Sequence, residues 1–219
     1  METDKDSMTA EHSLEIIKQH IAESREQLTR YIAKPLMVWG CLVTICALII
    51  GYLSLHCGGP VWNFLWFVMT AIGFIYQWFY DRHKKSVPSN FISKAIGYTW
   101  ASFAVMTLGM VILIFLGSFY YSRQPGEVTN TLAGKFNDII IFFPMASIII
   151  LLMGMAATIS GALLNNKGLI ACAIIGGLGG FMADLNIDGA CQMLVLAAVA
   201  VLTLIVPGIM IALKYKREK

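Results

Sequence analysis

The chain has 219 residues, of which 58% are hydrophobic and only 13% are charged. Soluble domains carry about 25% charged residues, so this composition excludes a soluble enzyme. The charged residues avoid six stretches altogether, and the polar segments between them are too short to form a usual folded domain. The six stretches are 36–55, 60–80, 97–121, 139–164, 168–183 and 190–213.

The lengths of these stretches predict membrane-spanning helices. About 20 apolar residues cross the hydrocarbon core as a helix, and all the stretches except 168–183 meet that length. A helix satisfies its own backbone hydrogen bonds in lipid, and the stretches lack the alternating pattern of barrel strands. We therefore predict an all-α fold, a polytopic bundle of six transmembrane helices. The short stretch 168–183 could instead form a re-entrant hairpin.

Positive charge predicts how the chain is threaded, because Lys and Arg near span ends are retained on the cytoplasmic side. With six spans and a cytoplasmic N-terminus, the 16 Lys and Arg residues all fall inside except Arg123 and Lys135. A re-entrant 168–183 would move the basic tail, 214–219, to the outside. The charge pattern therefore favours six full spans, with both termini in the cytoplasm.

Residues 1–35 form the largest segment outside the stretches. Within it, seam residues recur with the spacing 3-4-3-4-3 of heptad a and d positions: Leu14, Ile17, Ile21, Ser24, Leu28 and Tyr31. The spacing predicts an amphipathic cytoplasmic helix over about 11–34. This helix could pack on the bundle or lie at the lipid surface, or it could bind a protein partner or a second copy. Three heptads with a serine on the seam are short for a coiled coil, which favours surface packing.

Small residues and prolines mark the later stretches. Gly176 and Gly180 belong to a ladder of small residues, spaced by four, that lets helices approach closely. Tight packing against a neighbouring stretch is the favoured interpretation, and a flexible gate is the alternative. Pro144 and Pro207 remove backbone donors and are expected to kink their helices. Broken helices line substrate sites in transporters, so the two prolines are also candidates for a pathway.

The segment Asp184, Asn186, Asp188 and a following glycine reproduces the opening of a calcium-binding loop. The twelfth position of such a loop, which should be glutamate, is Val195. The favoured interpretation is a polar outer turn in which Asp188 caps the next helix, and no metal site is predicted.

Residues that carry chemistry are scarce inside the stretches. None holds Asp, Glu, Lys, Arg or His, the usual sign of an ion path. Ser160 lies in a sequence similar to a serine-protease motif that lacks its leading glycine, so it is expected to bond its own helix backbone. We predict no catalytic residue and no cofactor, and the short basic segment 82–85 suits lipid headgroups rather than nucleic acid. A disulfide between Cys57 and Cys191, both predicted at the outer face, is a minor alternative to free thiols.

Short motifs are spread along nearly the whole chain: Ser13-Leu-Glu-Ile-Ile, Val38-Trp39-Gly40, Gly97-Tyr98-Thr99-Trp100, Ile159-Ser160-Gly161 and Val206-Pro207-Gly208. Together with the basic tail, they resemble a family of uncharacterised six-span bacterial inner-membrane proteins. The resemblance implies a multi-pass protein of the bacterial cytoplasmic membrane. That family has no established activity, substrate or site, so the resemblance assigns no functional residue.

Three functions fit these patterns. The first is a non-enzymatic subunit, scaffold or regulator that meets a partner through the helix at 11–34. The second is a small transporter or channel for a neutral or lipophilic solute, and the third is an intramembrane enzyme. The first is favoured, because the N-terminal helix has no role in spanning and no stretch offers a charged coupling residue.

Overall fold

The computed structural model describes residues 3–57, 60–83, 91–122, 145–187 and 189–217. All regular structure within these ranges is helical, which confirms the all-α fold. The longer helices are α1 (Thr3–Cys57), α2 (Leu65–His83), α3 (Phe91–Ser122) and α4 (Met145–Leu163). A 3₁₀ turn, Pro60–Phe64, leads into α2.

The last two helical regions are each divided by a π segment, in which the backbone hydrogen bonds span five residues. The first region comprises α5 (Lys167–Ile174), the first π segment (Ile175–Gly179) and α6 (Gly180–Asp184). A 3₁₀ turn at Gly189–Cys191 opens the second region. This region continues through α7 (Gln192–Ala200), the second π segment (Val201–Ile205) and α8 (Val206–Arg217).

Five helical segments of the described chain are long and apolar enough to cross a membrane: His12–Cys57, Phe91–Leu113, Met145–Leu163, Lys167–Asp184 and Gly189–Lys216. They correspond to five of the six predicted stretches. The sixth, 60–80, is occupied by the 3₁₀ turn and by α2, whose 19 residues would extend about 28 Å. The polar residues near the end of α2 set it apart from the other five, and its passage through the membrane stays a prediction.

The predicted boundary at residue 35 does not exist as a break in the helix. α1 runs for 55 residues and includes Pro35 in its interior, so the amphipathic helix and the first span form one element. Proline removes one backbone hydrogen bond, which a long helix packed on both sides of that position tolerates. The part of α1 before Pro35, here called the projecting part, is roughly 50 Å long, and Leu28 and Ala33 near its end are buried against the bundle.

The core lies where α1, α4 and the two regions divided by π segments meet. Its fully buried side chains include Ile50 of α1, Ile150 of α4, Leu169 of α5 and Leu196 of α7. α1 packs along α7 and α8, whereas α4 packs on α5 and α6. α3 contacts α4, and about half of its described residues are exposed while Ile96 is buried among the remainder, as expected for a helix with one side toward lipid.

Pro207 does not end the helix that contains it. It is fully buried and lies two residues after the second π segment ends. A proline ring crowds the carbonyl four residues earlier and offers no N–H to it, and a wider preceding turn relieves that crowding. The Val206 N–H accordingly bonds the carbonyl of Val201, five residues back. The π segment thus accommodates the proline inside a continuous helix.

Candidate functional site

The exposed part of α1 carries an apolar face that nothing in the described chain covers. Leu14 and Ile17 are each 56% exposed and Ile21 is 45% exposed. Their spacing of three and four residues places them along one side of the helix. We call these three residues the docking face. Exposed apolar side chains in a contiguous row, rather than singly, are typical of an interaction surface.

The second half of the heptad pattern is occupied within the chain. Leu28 is buried in the core cluster. The Tyr31 hydroxyl donates a hydrogen bond to Asp81 of α2, and the Tyr80 hydroxyl donates to the Tyr31 carbonyl at 3.3 Å. Burial, and then the neighbouring Asp81 carboxylate, raise the pKa of the Tyr31 phenol, so it stays protonated as the donor. The heptad seam therefore has an exposed part that ends at Ile21 and a part, from Leu28 onward, that packs within the chain.

Some of the polar side chains of the projecting part pair with one another along the helix. Arg30 bonds Glu26 at 2.8 Å, one turn apart. The Gln19 amide donates to Glu23 at 3.0 Å, and the same carboxylate lies 3.9 Å from the His20 ring. Such exposed pairs stabilise a helix only slightly. They keep the polar sides of α1 soluble and leave the docking face as its apolar side.

The small residues of the first π segment pack against both neighbouring helices. A Cβ on Gly176 would lie 2.4 Å from Thr203 Cγ2, and one on Gly180 would lie 2.2 Å from Val199 Cγ2. On the opposite side, a Cβ on Gly154 would lie 2.6 Å from the Cα of Gly177. These distances leave no room for a side chain. Gly176 and Gly180 therefore close a helix contact in this structure, and Pro144 lies outside the described residues.

Asp184 occupies a different environment from the polar outer turn that the sequence predicts. Its side chain has no exposed surface, and its Oδ2 accepts a hydrogen bond of 2.6 Å from the buried Ser147 hydroxyl of α4. Within the described part of the chain, Oδ1 is buried without a hydrogen-bond partner. The sequence carries little sign that Asp184 is buried, because the charge-free stretch ends at residue 183, one position before it.

The calcium-loop fragment does not gather its oxygen ligands. Asp184 points to Ser147, and the Asn186 amide donates to the Met182 carbonyl at 2.6 Å. Asp188 lies outside the described residues. In the ranges that the structure covers, no group of three or more His, Cys, Asp or Glu side chains is placed to hold a metal ion.

The remaining sequence candidates have structural roles or stand alone. The Ser160 hydroxyl donates to the Ala156 carbonyl at 2.8 Å, which confirms the expected backbone bond. The Trp100 indole N–H also donates to that hydroxyl at 3.0 Å and so ties α3 to α4. Cys57 and Cys191 are both free, exposed thiols.

Comparison with known proteins adds no relative. No family model, no curated protein and no solved structure matches the chain.

Proposed function

We propose that this chain is a non-enzymatic subunit, scaffold or regulator of the bacterial inner membrane that binds a cytoplasmic protein partner through the docking face of α1. The observation that carries the proposal is the continuity of α1. An exposed apolar row sits on a helix that runs without a break into an apolar segment long enough to span.

The continuity of α1 argues against the docking face lying flat on lipid. An interfacial helix buries its apolar side in the plane of the membrane surface. The projecting part of α1 instead continues through Pro35 as one helix into the segment at 36–55. A helix directed away from the membrane exposes Leu14, Ile17 and Ile21 to water unless a protein covers them.

A partner of different sequence fits the docking face better than a second copy. A parallel coiled coil of two copies needs several heptads, but Leu28 and Tyr31 are already used within the chain. The remaining free seam is about one and a half heptads, too short to dimerise alone. An apolar groove that receives residues at i, i+3 and i+7 matches it instead.

The distribution of charge supports a cytoplasmic position for the docking face. With six spans, the basic residues concentrate on the side that holds both termini, and cytoplasmic segments are the ones enriched in Lys and Arg. The docking face then meets cytoplasmic proteins.

The test uses a photo-crosslinking amino acid at position 21 of the full chain in cells, combined with Ile17→Glu or Ile16→Glu. Ile16 is 43% exposed and lies off the seam, so it gives the same substitution one residue away. We expect one discrete protein adduct that Ile17→Glu abolishes and Ile16→Glu retains. An adduct of dimer size, or no protein adduct, contradicts binding to a different protein.

A small transporter or channel for a neutral or lipophilic solute is the second candidate. Two π segments in adjacent helices meet at Gly176 and Thr203, and π turns are frequent at functional sites. The tight glycine contacts close this region, so transport requires those helices to separate. Uptake of a solute by vesicles that contain the purified chain would favour this candidate, provided that residues 1–34 are dispensable for it.

A further inference from the structure

A second feature lies at the base of the projecting part of α1, where α1, the start of α5 and the end of α8 surround a cavity of about 270 Å³. Its polar lining includes Thr29 of α1, Asn166 before α5, and Lys214 and Tyr215 of α8. Its apolar lining includes Met210 and Ile211.

The lining changes from apolar to charged along one face of α8. Pro207, Met210, Ile211 and Lys214 follow one another at spacings of three, one and three residues, which keeps them on the same side. The distance from Pro207 to Lys214 is about 10 Å along the helix axis. Because Pro207 is the end nearer the apolar core, the cavity is apolar inside and cationic at its mouth.

Lys214 makes the mouth of the cavity electropositive. Lys214 forms no ion pair within the described ranges, and its ammonium lies 5.9 Å from the centre of the Tyr215 ring. The Arg30 guanidinium lies 4.4 Å from the same ring centre, although its charge is shared with Glu26 at 2.8 Å. Lys214 is thus the cation at the mouth whose charge no carboxylate of the described chain neutralises.

The start of α5 adds backbone donors to the same cavity. Asn166 caps this eight-residue helix by accepting the Leu169 N–H at 3.2 Å. The first-turn N–H groups of Lys167 and Gly168 have no carbonyl one turn earlier in the helix, and a helix N-terminus attracts anions. Gly168 also lines the cavity, so its backbone can approach a ligand closely.

We propose that this cavity binds a phosphate-ester anion, with the phosphate between Lys214 and the first turn of α5 and any acyl part over Met210 and Ile211. The apolar lining suits a lipid, whereas the mouth alone would suit a soluble phosphate ester. Basic pockets between membrane helices bind anionic headgroups in this manner. This site is separate from the docking face, so either proposal can fail while the other holds.

The test measures binding of phosphatidylglycerol to the purified full chain in neutral detergent, with phosphatidylcholine of the same acyl chains as the reference lipid. Lys214→Gln is compared with Lys216→Gln. Both lysines are exposed and both variants remove one positive charge near the end of α8, but only Lys214 lines the cavity. We expect about fivefold weaker binding of phosphatidylglycerol for Lys214→Gln and less than about twofold for Lys216→Gln.

A second variant tests the shape of the cavity without a change of charge. A Cβ on Gly168 would lie 3.4 Å from both Asn166 Oδ1 and Met210 Cε, so Gly168→Ala fits the fold but narrows the cavity. We expect weaker phosphatidylglycerol binding at unchanged thermal stability. Glycerol phosphate in place of the lipid distinguishes the two possible sources of the phosphate. Binding of glycerol phosphate equal to that of phosphatidylglycerol supports a soluble ligand, and binding of phosphatidylglycerol alone supports a lipid. Equal loss in the two lysine variants, or no preference over phosphatidylcholine and no effect of glycerol phosphate, overturns the proposal.

Discussion

Ser147 and Asp184 form a buried hydrogen-bonded pair that joins α4 to the end of α6, with the hydroxyl and carboxylate oxygens 2.6 Å apart. Neither side chain reaches the surface. Burying a carboxylate is costly unless donors surround it, and this one has a single donor in the described chain. The pair makes the contact between the two helices depend on one hydroxyl.

Removal of that hydroxyl should therefore weaken the bundle. We expect Ser147→Ala to lower the free energy of unfolding by about 1–3 kcal/mol, because it leaves a buried acceptor without its partner. Asp184→Asn should cost less, since the amide oxygen can still accept from Ser147. Denaturant unfolding in detergent measures both. Thr158→Val is the control, because Thr158 bonds only its own helix, at the Gly154 carbonyl; an equal loss there would contradict a special role for the pair.

Two glycines of the first π segment offer a matched comparison. Gly176→Ala should destabilise the bundle by about 1–3 kcal/mol, because the new methyl group overlaps Thr203. Gly179→Ala should be neutral or slightly stabilising, because no atom beyond its own stretch of helical backbone lies within 4 Å of its Cβ position. Thermal unfolding in detergent distinguishes the two variants. Gly176→Leu should be more damaging still, and equal stability of the two alanine variants would show that the contact with Thr203 is not needed.

Gly154 and Gly177 share one backbone contact, which predicts that their substitutions are not additive. Either alanine alone should force α4 and the first π segment apart and cost about 1–3 kcal/mol. Once the helices have separated, the second alanine should cost less than it does alone, so the double variant should lose less than the sum. A double-mutant cycle of unfolding free energies measures this. Full additivity would mean that the two glycines act at separate contacts.

The threading of the chain gives a prediction that does not depend on side-chain packing. A fluorescent protein fused after Lys219 should be bright, and a periplasmic phosphatase fused at the same place should be inactive, because the charge pattern predicts a cytoplasmic basic tail. The same phosphatase inserted near Arg123 should be active. Phosphatase activity only in the fusion after Lys219 would contradict the predicted topology, and with it the proposal of a cytoplasmic partner.

The sequence allows the helical architecture to be predicted because lipid imposes length and composition on each span. The four-residue spacing of Gly176 and Gly180 also indicates a close helix contact, and their neighbours in the structure are as near as that spacing requires. Which helices they meet, however, depends on how the spans are arranged around one another. That arrangement leaves no mark in the periodicity of a single stretch.

Other features are invisible to local patterns for identifiable reasons. Asp184 looks like the first residue of a polar turn, and only the position of α4 reveals that it is buried. Pro35 looks like a helix boundary, yet α1 continues through it because the helix is packed on the bundle beyond that point. The cavity at Lys214 joins residues from three helices that are far apart in sequence, so no motif announces it.

The docking face and the centre of the bundle lie on the same continuous helix, α1. Leu14 and Ile50 are about ten turns apart, which returns them to the same side of an ideal helix. No loop interrupts α1 at Pro35, so its two ends are joined by helical backbone alone. Under the proposed function, a partner that rotated the docking face would therefore strain the contacts of Leu28 and Tyr31 before those of Ile50.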